Sequence, residues 1–432
     1  MRAPARLARI GRVLRAAWLL VGAVALLLLV AEGAYRAQGA LRRAIGRRHA
    51  GDYPLNPYVD GKWFDELMIV RWHQDERLEW RPYIEVRQRP FRSTYLTIDS
   101  TGRRRTVQPA PPGLAARKLY LFGGSTMFGS MLRDSATIPS RIAAEFATRG
   151  LRDVAVVNYG EIGHAFTQEA LELLLELRAG ARPDAVVFLD GGNEVLSAVQ
   201  AGRAGIPLLE GNRSRDYELG RLLFSWRTDL RAEAGVALRL GGIALGRLRL
   251  LAKLRHSSAS LVPTPAVDAL ADDVVRTYLG TLEWVEALAV HYGFVAFYAW
   301  EPELFTTRKR LSPFERQLTL ALESDPANSR LRSVRRLVPE RLAPAAAAAV
   351  PGRFANFTGL FDGDTATTFV DEGHTTESAS AKVAAELARR LAPYFERPPR
   401  RRLGAREPAF EARQVGGSEK AVRRNSDEAG RQ

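Results

Sequence analysis

Four short motifs carry side chains able to do chemistry: Gly123-Gly124-Ser125, Asn158-Tyr159-Gly160-Glu161-Ile162-Gly163, Gly191-Gly192-Asn193-Glu194 and Asp371-Glu372-Gly373-His374. Together they suit acyl transfer. A serine hydroxyl is a weak nucleophile and needs a base within hydrogen-bond reach. His374 can take the Ser125 proton and return it to the leaving group. Asp371, earlier on the same loop, can bond the other ring nitrogen and fix its tautomer. Attack creates an oxyanion, which needs donors already in place. The backbone N–H groups of Ser125 and Gly163 and the side-chain amide of Asn193 are the candidates. Gly160 competes with Gly163; Gly163 is preferred because it lies farther from the strand, on the turn into the next helix. His164 competes with His374 as base but lacks the Asp-x-x-His arrangement.

These residues need one common edge, and the surrounding pattern supplies it. Leu119–Phe122, Asp153–Asn158, Asp184–Leu189 and Phe294–Trp300 are short apolar runs that read as strands. Between them lie helical patterns: Thr137–Arg149, a helix capped by Thr167 and running to Arg178, and Ala266–Tyr292. Alternating strands and helices predict a doubly wound parallel sheet. In such sheets ligands bind at the carboxyl ends of the strands, where the first three motifs fall. Lys309–Pro351 reads as largely helical, and Ser378–Phe395 as the final helix, directly after the fourth motif.

The ordered set resembles the SGNH hydrolases, also called GDSL-type esterases. The resemblance covers residues 118–395 and implies an α/β sheet between helices, with Ser125 as nucleophile, Gly163 and Asn193 in the oxyanion hole, and Asp371 with His374 completing a triad. Three departures stand out. The first block is Gly-Gly-Ser-Thr rather than Gly-Asp-Ser-Leu. Glu194 follows Asn193 where the family usually has Asp. No glycine follows His374 at the customary distance. None removes a reacting group.

The chain has 432 residues, 46% of them hydrophobic, and a net charge of +15. The arginines are scattered, with concentrations at both chain ends. The charge therefore reads as solubility and attraction to an anionic membrane surface, with no nucleic-acid partner. With no cysteine, disulfides, thiolate metal sites and a cysteine nucleophile are excluded. The histidines show no metal-binding spacing, so no metal or cofactor is expected.

Residues 1–15 form a basic leader, with five arginines at positions 2, 6, 9, 12 and 15. Residues 16–35 follow as an expected transmembrane anchor, putting the amino end in the cytoplasm and the rest outside it. A cleaved signal peptide is the rival reading. Residues 50–112 read as an amino-terminal extension, with a strand at Tyr95–Ile98 before the turn Asp99–Gly102. Residues 202–263 interrupt the hydrolase domain; within them the basic stretch 219–254 reads as a solvated helix, a lid, or a helix resting on lipid headgroups. Residues 396–432 read as a disordered tail. The expected activity is cleavage of an ester or O-acyl group, on acylated carbohydrate or lipid, at the envelope. An O-acyltransferase and a non-catalytic binding module on the same fold are the alternatives.

Overall fold

The structure is a computed structural model that describes residues 18–38, 78–109, 116–211 and 265–397, with isolated positions between them. Residues 398–432 of the expected tail and most of the 202–263 interruption, including 219–254, lie outside the described residues, as does most of 50–77.

Helix α1 (Trp18–Gln38) is long and apolar enough to cross a membrane. Its side chains are largely exposed, Leu19 and Leu27 among them, while Glu32 is buried and bonds Arg36 at 2.7 Å. Next come two small antiparallel ladders: β1 (Leu78–Arg81) with β2 (Glu85–Gln88), and β3 (Phe91–Arg92) with β4 (Thr97–Ile98). The turn after β4 forms as its residues dictate. The Asp99 carboxylate accepts the Thr101 N–H at 2.8 Å, and the chain returns so that Arg104 bridges Ile98.

The main sheet has β5 (Arg117–Gly123), β6 (Val154–Asn158), β7 (Ala185–Asp190), β8 (Val295–Trp300) and β9 (Phe354–Asn356). All pairings are parallel, in the order β6-β5-β7-β8-β9. The strand order reverses between β5 and β7, and a crevice opens at such a point. Strand β9 was not expected. It is three residues long, too short to show a period of two, and exists by pairing with β8 at Tyr298↔Phe354.

The helices are α2 (Ser125–Phe128), α3 (Ile138–Thr148), α4 (Phe166–Arg178), α5 (Gly192–Ala201), α6 (Val267–Tyr292), α7 (Pro313–Glu323), α8 (Ala327–Ala349) and α9 (Glu377–Phe395). Alternate strand residues feed two cores, as a sheet covered on both faces requires. Tyr120, Phe122, Val186 and Phe188 pack with residues of α4, α6 and α8. Leu119, Leu121, Val187 and Leu189 pack with residues of α3 and α9. Each fully buried side chain of this size contributes roughly 1.5–3 kcal/mol, so the strands at the centre are the firmest platform for a site.

The stretch 309–351, expected to be largely helical, is helical as two helices. Pro326 disfavours helical backbone at Asp325 before it and breaks the run between α7 and α8. One expectation needs correction: Thr167 does not cap its helix. The N-cap position is Ala165, whose N–H is accepted by the Gln168 side chain at 3.2 Å, and the Phe166 N–H is accepted by the Glu194 carboxylate at 2.7 Å. A distant acid thus does the work that a local hydroxyl was expected to do.

Candidate active site

Ser125 stands at the carboxyl end of β5, on the first turn of α2. The two glycines before it are required by close approach. A Cβ on Gly123 would lie 2.6 Å from Met127 Cβ and 2.7 Å from the Leu189 carbonyl, and one on Gly124 would land on the Asn193 amide nitrogen. Gly124 therefore allows the Asn193 carboxamide to sit directly against the serine turn. Beneath α2, the buried Arg104 holds the turn in place. Its guanidinium bonds Asp134 at 3.1 Å and also donates to the carbonyls of Gly129 and Leu132. Burial lowers the Arg104 pKa, opposed by Asp134. A lone arginine in the tract Arg103–Arg105 gave no sequence signal for that role.

The loop before α9 brings Asp371 and His374 to the same place. His374 Nδ1 lies 2.7 Å from Asp371 Oδ2 and 2.9 Å from Oδ1, and His374 Nε2 lies 2.8 Å from Ser125 Oγ. With a carboxylate facing Nδ1, that nitrogen carries the ring proton. Nε2 then accepts the serine hydroxyl. Asp371 Oδ1 also accepts the backbone N–H groups of Gly373 at 3.1 Å and His374 at 2.8 Å. The loop is closed by the Val370 N–H to the His374 carbonyl at 2.9 Å and by a Phe369–Thr375 bridge. The imidazole is thus fixed in orientation by its own loop.

Asn193 stands on the first turn of α5, after β7, the strand paired with β5. Its amide donates to the His164 carbonyl at 2.7 Å. A carboxamide nitrogen has two hydrogens, so one remains for the crevice. Gly163 adjoins His164 on the turn after β6, in left-handed conformation at φ +82°. Its N–H has no acceptor among the described residues. Gly160 is occupied otherwise. Its N–H donates to Asn158 at 2.8 Å, and a Cβ there would run into the Met127–Phe128 backbone. His164 is buried, its Nε2 against the Val86 carbonyl at 3.2 Å, and burial drives its pKa down to about 3. Ser125, Gly163, Asn193, Asp371 and His374 are all only half-buried, so they form the open face of the site.

Behind that face lies a set of buried acids of which sequence reasoning singled out only Glu194: Glu169, Asp190, Glu194, Glu301 and Glu303. Glu194 accepts the Gly191 N–H at 2.7 Å as well as that of Phe166. Burial raises its pKa to about 7. Glu301 accepts the Gly192 N–H at 2.7 Å. Glu169 and Asp190 meet no donor among the described residues other than each other, and burial raises both pKa values well above the usual carboxylate range. Burial and their mutual repulsion both favour the uncharged form of each. Acids closing apolar strands, as Asp190 closes β7 and Glu301 follows β8, were the available signal. Among the described residues no three potential ligands are grouped to hold a metal ion.

No family model matches the chain, and no curated protein matches it. Solved structures do. A member of the lipolytic protein G-D-S-L family from Veillonella parvula is 14% identical, with 66% of this chain and 100% of that one covered, at a TM-score of 0.35. Est24, a carbohydrate acetylesterase from Sinorhizobium meliloti, is 12% identical over 65% and 100%, at 0.35. TesA is 15% identical over 64% and 99%, at 0.32. At such identities and scores the likeness assigns no substrate. The chain itself has the parallel sheet between helices that its resemblance to the SGNH hydrolases implied.

Proposed function

We propose that this protein is a serine hydrolase that cleaves an ester or O-acyl group, with Ser125, His374 and Asp371 as its reacting triad. The observation that carries the reading is the unbroken series Asp371–His374–Ser125, with contacts of 2.7 and 2.8 Å. Ser125 Oγ attacks the acyl carbonyl carbon as His374 Nε2 takes its proton. Asp371 stabilises the imidazolium that results. The carbonyl oxygen becomes an oxyanion, met by the N–H groups of Ser125 and Gly163 and the Asn193 amide. Each such donor is worth about 3–4 kcal/mol in the transition state. Collapse breaks the bond to the alcohol, which leaves with the proton from His374. Water then repeats the sequence on the acyl-serine and releases the carboxylic acid.

The substrate is an O-acetylated carbohydrate or a lipid ester at the cell envelope, with α1 as a single-pass anchor and the hydrolase domain outside the cytoplasm. The 21 residues of α1 support this, since they rise roughly 31 Å, about the thickness of a hydrocarbon core.

The test is Ser125→Ala in the full chain, in detergent, on p-nitrophenyl acetate. Turnover should fall by roughly 10⁴-fold or more, and a fluorophosphonate should label the wild type at Ser125 but not the variant. A variant that keeps its turnover, or a folded wild type that is neither active nor labelled, would overturn the reading.

A further inference from the structure

The reacting groups come from two separate supports. Ser125 and Asn193 ride on the adjacent strands β5 and β7, whereas His374 rides on a loop reached after three further helices. Something must fix the distance between that loop and the Gly191–Asn193 turn. Arg335, on α8, lies between them. It is 3% exposed. Its Nε is 3.4 Å from Glu303 Oε1, and its Nη2 is 3.3 Å from Glu372 Oε1. Glu303 packs under the oxyanion turn: a Cβ on Gly192 would meet Glu303 Oε1 at 2.7 Å and Glu301 Oε1 at 3.0 Å. Glu372 lies between Asp371 and Gly373, and its carbonyl accepts the Leu304 N–H at 3.0 Å. Glu303, Arg335 and Glu372 thus stand in series between the two turns: Arg335 Nη2 hydrogen-bonds Glu372, while Nε faces Glu303 as an ion pair without a hydrogen bond among the described residues.

We propose that Arg335 is a positioning residue that locks the base-bearing loop to the oxyanion turn by pairing Glu372 on one side and Glu303 on the other. This rests on the hydrolase reading above. A guanidinium suits the role because its planar fork presents donors in two fixed directions, while an ammonium acts as one point charge. The acids need a cation as well. Glu301 and Glu303 are almost wholly buried, and like charges in such a site repel strongly. Removing Arg335 would free the Glu372 side chain and leave the loop tied to the segment after Glu303 only through the Glu372 carbonyl and the Leu304 N–H, so the loop keeps its own shape but loses its side-chain tether to the oxyanion turn.

The experiment measures kcat and KM for p-nitrophenyl acetate in the full chain, in detergent. Each value is normalised to the sites titrated by a fluorophosphonate. Glu372→Gln removes the charge of the outer arm and leaves at most a neutral hydrogen bond to Arg335, at a partly exposed position, so the fold survives. Its kcat per titrated site should fall about ten-fold, with KM and Tm unchanged. Arg335→Met should lower kcat by about 100-fold, and Arg335→Lys should recover part of that. The double variant Arg335→Met/Glu372→Gln should be no slower than Arg335→Met alone, because both changes cut one path. A merely structural role would lower the titrated fraction and leave kcat per site intact. Wild-type kcat per site in Glu372→Gln overturns the proposal even if Arg335→Met does not fold, and so does a double variant whose losses multiply. Ser125→Ala with full activity would instead sink the hydrolase reading itself.

Discussion

Replacing Lys309 by Met would break the most deeply buried ion pair near the site. Lys309 and Glu315 side chains are both 0% exposed. The ammonium donates to Glu315 Oε1 at 2.9 Å, to Oε2 at 2.7 Å and to the Ala366 carbonyl at 2.6 Å, which uses all three of its hydrogens. Glu315 also accepts the N–H groups of Ser312 at 2.8 Å, Thr368 at 2.8 Å and Phe369 at 3.1 Å. It therefore anchors the strand of chain that leads into Asp371. Methionine fills much the same space but leaves a carboxylate without its cation. Such a loss costs about 3–5 kcal/mol, or roughly 10 °C in Tm for a domain of this size. Burial alone would raise the Glu315 pKa, but Lys309 and the three backbone donors outweigh it, so the pKa is lowered below 4.5. The wild-type carboxylate thus contributes stability that is present above pH 4.5 and lost as pH falls through the folded pKa. In the variant, protonation relieves the stranded charge, so its deficit should be largest at pH 7 and shrink towards pH 4. Lys309→Met/Glu315→Gln keeps an oxygen for Thr368 and Phe369, loses the charge, and should regain about 1 kcal/mol or more. Urea titration of the full chain in detergent, read by tryptophan fluorescence at several pH values, measures all three quantities. A loss below about 1 kcal/mol at pH 7, or a deficit that widens on acidification, would refute the reasoning.

Gly124→Ala should lower kcat by about 10²–10³-fold, because its Cβ would displace the Asn193 amide. Circular dichroism should stay native, and a wild-type kcat would contradict the placement of Asn193. His164 carries the opposite kind of prediction. Its pKa drops from 6.5 to about 3 on burial, so the unfolded chain takes up the proton first. The neutral ring's contribution is complete above pH 6.5 and is lost progressively as pH falls towards 3. His164→Gln, which can still bond the Val86 carbonyl, should flatten the stability profile across that window. A profile as steep as the wild type would assign the acid sensitivity elsewhere.

The sequence alone reached much of this arrangement. Apolar runs closed by glycine and a hydroxyl or amide, in βα alternation, put Ser125 and Asn193 at strand ends, because periodicity and turn chemistry act over a few residues. Asp371 and His374 were legible for the same reason: their partnership lies within one short loop. What lay beyond reach depends on groups far apart in the chain. Nothing local marks Arg104 as the support of the serine turn, Glu194 as the acceptor for the Phe166 N–H, or Arg335 as the link between Glu303 and Glu372. Helix capping by a distant carboxylate defeated the local expectation at Thr167, and β9 became a strand only beside β8. The protonation of the buried acids was equally hidden, since it is set by desolvation and neighbouring charge. The sequence by itself determined which residues could react and the order of the elements that carry them. Only the tertiary structure decided that Ser125 and His374, 249 positions apart, meet at 2.8 Å, because that contact is fixed by how separate strands, helices and buried ion pairs pack against one another.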